Sequence, residues 1–144
     1  MSQETLIEQI RHVRTVFNEV VKQMEDASRH ERFFGASVDT LKTFGAALGE
    51  DLSGDDSFAE KVSKKLETLQ LKARGTVASD RDLALLHAAE SASQTLCEAY
   101  RQALTRTQKP LTHSQINQQF RHWTDAHERL RDLVAFRERA VQDT

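Results

Sequence analysis

From Leu6 to Leu48 an apolar residue recurs in steps of four and three without a slip. The row runs Leu6, Ile10, Val13, Phe17, Val20, Met24, Ala27, then Phe34, Val38, Leu41 and Leu48, and only Glu31 and Gly45 interrupt it. Steps of four and three keep one stripe of a helix turned toward a partner helix. Two helices joined by a turn would have to restart in the same phase. The simpler expectation is a single helix over about 4–48, a rod roughly 65 Å long at the α-helical rise.

The rest of the chain has little that could end a helix. It holds five glycines and one proline in 144 residues, whereas sandwiches and barrels need a turn signal every 8–12 residues or so. Hydrophobic residues make up 38% and charged residues 29%, a balance that suits amphipathic helices more than a thick globular core. The main breaks are Gly49–Ser57 and Lys109-Pro110, with a weaker one around Gly75. Between the first two, Val62, Leu66 and Leu69 form one stripe. Leu85, Ala89, Ala92, Leu96, Ala99 and Ala103 form another, beside Leu86, Tyr100 and Leu104. The change of register at Gly75 predicts a kink, and two adjacent stripes predict a helix with two neighbours. After Pro110, Ile116, Phe120, Trp123, Ala126, Leu130 and Val134 share a face, flanked by His127 and Phe136. The expected fold is all-α: one domain over 1–144, with three long antiparallel helices at about 4–48, 58–107 and 114–140. They form an elongated coiled-coil bundle with a kinked second helix. So slender a core predicts a partner, a homo- or heterodimer with another helical chain. Phe17, Val20, Met24, Phe33, Phe34 and Leu41 are the candidates for the helix seam or dimer face.

Charge narrows the function. Twenty basic against 22 acidic side chains give a net charge of −2, without the basic excess of a dedicated nucleic-acid binder. No nucleic-acid partner is expected. The single cysteine, Cys97, cannot form an intrachain disulfide and fits a reducing compartment. No apolar run approaches the ~20 residues of a membrane span, and the N-terminus lacks the charged and apolar regions of a secretory signal. A cytoplasmic location is the expectation.

No zinc-ligand spacing, phosphate-cradling glycine loop or serine elbow occurs. No catalytic residue, metal or cofactor is therefore assigned, and the expected class is non-catalytic. Two enzyme-side alternatives stay open. Arg121-His122-Trp123-Thr124-Asp125-Ala126-His127 resembles the Arg–polar–His motif of small all-helical HEPN ribonucleases, which would make Arg121 and His127 RNA-facing. A ferritin-like four-helix bundle would use Glu90 and His127, although Thr124 stands where the Glu-x-x-His pattern needs glutamate. Basic residues cluster at Lys61, Lys64 and Lys65, and again at Arg101, Arg106 and Lys109. At the end of a curved rod such clusters would meet anionic lipid, each basic side chain contributing about 1 kcal/mol near the surface.

Three long helices with a kinked middle one resemble a BAR domain. The stretch Lys61-Val62 through Gly75-Thr76-Val77-Ala78-Ser79-Asp80-Arg81-Asp82-Leu83-Ala84-Leu85-Leu86 is similar to the second helix of the sorting-nexin BAR domains. Phe44-Gly45-Ala46-Ala47-Leu48-Gly49-Glu50-Asp51 and Ala135-Phe136-Arg137-Glu138-Arg139 are similar to the ends of the first and last helices. The arms are shorter than in that family, and the phosphoinositide-binding domain that precedes it in sorting nexins is not seen. The resemblance implies a dimerising scaffold that binds or senses curved anionic membranes in trafficking, peripheral on endosomes. The discriminating feature is the first helix: a turn near residues 28–32 would make a compact bundle instead of a rod.

Overall fold

The computed structural model describes residues 2–49, 61–66, 81–106 and 110–142. All the elements among them are α-helices. Helix α1 spans Ser2–Gln23 and α2 spans Ala27–Ala47. Residues 61–66 are helical and are called α3 here. Helix α4 spans Arg81–Arg106 and α5 spans Pro110–Gln142. The sequence-predicted kink near Gly75 and Lys109 lie outside the described residues.

The expected rod over 4–48 is corrected to a hairpin. The chain leaves the helix at Met24, turns through Glu25 and Asp26, and re-enters at Ala27, so that α1 and α2 pack side by side. Phe17 and Phe34 meet edge-to-face across the pair, with ring centroids 4.9 Å apart. No glycine or proline makes the turn. Its hold comes from afar: the Asp82 carboxylate accepts the backbone N–H of Glu25 (2.8 Å) and of Asp26 (3.0 Å). Those amides are orphan donors at the start of a helix, and a carboxylate there also suits the helix dipole. The heptad hides the break because a three-residue turn consumes nearly one helical turn of sequence. Glu31 is the trace it leaves: Glu31 is exposed and its neighbour His30 is buried instead.

The α2 end behaves as expected. Gly49 takes a φ of +96° and its N–H bonds the carbonyl of Ala46 at 3.1 Å, the left-handed stop that glycine accepts without strain. Pro110 opens α5, where its fixed φ fits and its missing N–H costs nothing.

Side-chain bonds set the directions. Asp82 at the start of α4 lies at the α1–α2 turn. Down the α4–α5 pair come His87–Glu138 (3.1 Å), Ser93–His127 (2.7 Å) and Tyr100–Gln119 (2.9 Å), an antiparallel register. The first turns of α5 reach the end of α2 through Gln115 to the Ala47 carbonyl and Gln119 to the Phe44 carbonyl. Helices α2 and α4 therefore both run away from the turn. Ser63 of α3 accepts two bonds from Gln23 of α1 through its carbonyl and hydroxyl, and Val62 and Leu66 are buried.

Helix α4 packs on both α1 and α5, as its two stripes predict: Leu85, Ala89, Leu96 and Ala103 on one, Leu86 and Tyr100 on the other are buried. The core is closed by Trp123 of α5, whose ring lies 5.8 Å from that of Phe17. The seam residues Phe17, Val20, Met24, Phe34 and Leu41 are thus packed within one chain.

Candidate functional site

The seam candidates lie in this core. Phe17, Val20, Met24, Phe34 and Leu41 are all buried against other helices of the same chain. They cannot present a dimer face without opening the bundle. Phe33 is the exception. It is half-buried, packs edge-to-face on Phe34 at 5.3 Å and reaches the space between α2 and α5.

The basic candidates do not converge. Lys61, Lys64 and Lys65 are exposed on α3. Lys65 lines a groove of about 460 Å³ with His12, Val16, Leu66 and Ala88. Arg101 and Arg106 are exposed near the far end of α4, and Arg106 stands roughly 27 Å along the helix from Ala88. Arg101 is committed locally, paired with Glu98 and poised 5.8 Å over the Phe120 ring. No helix of the described residues is long and apolar enough to cross a membrane.

The polar interior is a set of interhelical latches. The Ser93 hydroxyl and Nδ1 of His127 share a 2.7 Å hydrogen bond, and Trp123 Nε1 donates to the Ser93 carbonyl at 3.4 Å. The Tyr100 hydroxyl donates to Gln119 Oε1, and Gln119 Nε2 donates in turn to the Phe44 carbonyl. These bonds tie α4 to α5, and α5 to α2. A serine bonded to histidine is also the geometry of an activated nucleophile. Here Ser93 is 0% exposed in mid-helix, beyond the reach of any substrate. Burial, foremost, holds the His127 imidazole below its ordinary pKa, against the opposing pull of Glu90.

This placement bears on both enzyme-side alternatives. Arg121 is exposed while His127 faces the core, so the two do not form one RNA-facing pair. Glu90 is half-buried near His127, but no group of three metal-ligating side chains gathers among the described residues. The Cys97 thiol is buried, and desolvation pushes its pKa up, away from reactivity.

Three desolvated histidines predict an acid-sensitive bundle. His12, His30 and His127 all have pKa values lowered from 6.5, with burial as the largest cause in each. Buried Nδ1 of His30 has no hydrogen-bond partner. The unfolded chain takes up these protons first, so folding stability falls as pH drops through about 6.5 and keeps falling until the folded histidines titrate. Urea midpoints at pH 7.5 and pH 5.5 check this: the midpoint is expected to be lower at pH 5.5. Equal midpoints would mean that the imidazoles are not desolvated as described.

The surface feature with the strongest character lies between α2 and α5, which are bridged mainly by long side chains. A groove of about 480 Å³ has Phe33, Trp123 and Ala126 along its floor. Arg29 and Arg32 of α2 and Arg129 and His122 of α5 form its walls. His122 stands edge-on to Phe44 at 5.5 Å. Arg29 has a 3.5 Å surface contact with Asp26, and neither Arg32 nor Arg129 has an ion-pair partner among the described residues. Farther along the same face of α5 comes Phe136, 60% exposed, the one large hydrophobic side chain left to solvent among the described residues.

The sequence picks out Phe33 but does not join it to the arginines of α2 and α5. The signal was present as helical spacing. His122, Arg129 and Phe136 recur every seven residues, and Arg32 and Phe33 each lie about one turn from Arg29. What was missing was the hairpin, which is what brings α2 alongside α5. No family model, curated protein or solved structure matches this chain.

Proposed function

We propose that this protein is a non-catalytic helical interaction module that binds another helical chain across the face formed by α2 and α5. One observation carries the reading: Phe136 stays in water, in line with a groove walled by arginine, while the other large apolar side chains of the described bundle are packed inside. Exposed aromatics beside a concave, partly apolar surface are the usual composition of a docking site. The interior latches support the same reading from the other side, because their polar groups are spent on joining helices.

The membrane-scaffold alternative draws on the resemblance to BAR domains. It needs a long first helix and basic clusters on a common surface. The α1–α2 hairpin and the distance of the α3 lysines from Arg101 and Arg106 give the helix-docking reading the better support. A helical partner keeps what is left of that reading, a scaffold that works by association.

A displayed library of amphipathic helical peptides tests the proposal, with binders mapped by amide hydrogen exchange on the full chain. Binders that slow exchange over 29–40 and 122–136 are expected. A library that yields binders only elsewhere, or none, would overturn it.

A further inference from the structure

The α1–α2 bend carries a titratable group at its pivot. His30 closes the first turn of α2, directly after the bend. It is 4% exposed, and its Nδ1 is buried with no hydrogen-bond partner. A neutral imidazole tolerates this, because only one of its two nitrogens carries a proton. An imidazolium carries an N–H on both. Protonation would therefore leave a buried, charged donor without an acceptor, an unfavourable state inside a protein.

The groups around His30 decide what yields. Asp82 of α4 and Asp26 of the bend favour its charged form, while Arg137 of α5 and Arg29 of α2 oppose it. Asp82 is the stronger of the two acids, and both its oxygens are engaged, one with the Glu25 amide and one with the Asp26 amide. The Asp26 carboxylate already accepts the Ser28 hydroxyl and lies 3.5 Å from Arg29. A protonated His30 thus has two outlets. It draws the Asp82 carboxylate off the amides of the bend, or it turns into water and lifts the first turn of α2. Either movement releases the same clamp.

We infer that His30 is an acid sensor for the α1–α2 bend: its protonation undoes the Asp82 clamp on Glu25 and Asp26 and opens the first turn of α2 while the rest of the bundle stays folded. Burial sets the direction. Desolvation, the largest influence, holds the imidazole below 6.5 in the closed bend, whereas a solvated His30 titrates near its ordinary value of about 6.5. Acid therefore favours the open form. Its share grows as pH falls through about 6.5, by at most about tenfold per pH unit for one proton, and stops growing once the closed form is protonated too. Local opening of this kind is separate from global unfolding. Arg29, Arg32 and Phe33 of the groove stand on the same two turns of α2, so that wall loosens with the bend. The switch itself belongs to the free chain, whatever the groove binds.

Amide hydrogen exchange on the full chain at pH 7.0 and pH 5.5 tests this, with each rate corrected for the intrinsic pH dependence of exchange. Protection of the Glu25 and Asp26 amides is expected to fall several-fold on acidification, and by more than protection of the Leu96 amide in the core of α4. His30→Gln keeps a polar side chain that does not titrate in this range, and it is expected to abolish the extra fall. Circular dichroism checks that the variant is folded. A side-chain NMR titration of the unaltered chain gives a reading that needs no variant. There His30 is expected to titrate below 6.5, with the Glu25 and Asp26 amide resonances shifting at the same midpoint. An extra fall that survives in His30→Gln would overturn the inference. So would Leu96 losing as much protection as Glu25 and Asp26, since acid would then unfold the bundle as a whole. A His30 that titrates at or above 6.5 in the folded chain would overturn it as well.

Discussion

Replacing Trp123 with alanine is expected to cost the fold about 4 kcal/mol, near the upper range for truncating a buried aromatic. Trp123 is 1% exposed, stacks at a tilt on Phe17 and donates its indole N–H to the Ser93 carbonyl. Its removal opens a cavity where α1, α4 and α5 meet and deletes one of the latches between α4 and α5. Against a typical domain stability of about 5–15 kcal/mol, that brings the bundle close to unfolding at ambient temperature. Since this is the only tryptophan, the variant loses the natural fluorescence probe. Urea unfolding followed by circular dichroism at helical wavelengths is the suitable measurement. Trp123→Phe keeps most of the volume and is expected to lose much less. A loss under about 1 kcal/mol for the alanine variant would be out of scale for a core tryptophan and would place α5 outside the core.

Asp82→Ala is expected to cost about 2–3 kcal/mol, in the range of losing charge-assisted hydrogen bonds to a buried group. The side chain is 2% exposed and its two oxygens separately hold the amides of Glu25 and Asp26. Asp82→Asn keeps one acceptor oxygen and is expected to lose less than the alanine variant. Hydrogen exchange provides the sharper readout. The Glu25 and Asp26 amides should exchange faster in Asp82→Ala by more than the global loss of stability accounts for. This experiment also separates hairpin from rod. In an uninterrupted helix over 4–48 those amides would bond to carbonyls four residues back, and Asp82→Ala would leave their exchange unchanged.

Much of the fold was legible because helices announce themselves locally. The stripes of α4 and α5, the two-sided packing of α4, and the stop at Gly49 all follow from spacing and from one residue's backbone preference. The α1–α2 turn does not. Met24, Glu25 and Asp26 are ordinary residues, the side chain of Asp26 makes no capping bond to the backbone, and the decisive acceptor stands 56 residues further on. A heptad states only that a helix packs on another helix. It does not say whether the partner is a second chain or the next stretch of the same one. That ambiguity explains why Phe17, Val20 and Leu41 read equally as a helix seam or a dimer face; they are buried in the core of one chain. The groove was hidden for the same reason, since its arginines come from helices whose adjacency depends on the turn.

Asp82 has a consequence for the order in which the molecule can take shape. As the chain is synthesised, α1 and α2 emerge before the carboxylate that holds their bend exists. Over that interval the sequence up to Leu48 carries its heptad, interrupted only at Glu31 and Gly45, and no clamp. The bend is a non-local decision, taken only when α4 arrives. A contact that spans so much chain must offset its loop-closure entropy before it gives any return. The bond that fixes the first hairpin is thus supplied by the fourth helix, 56 residues after the bend.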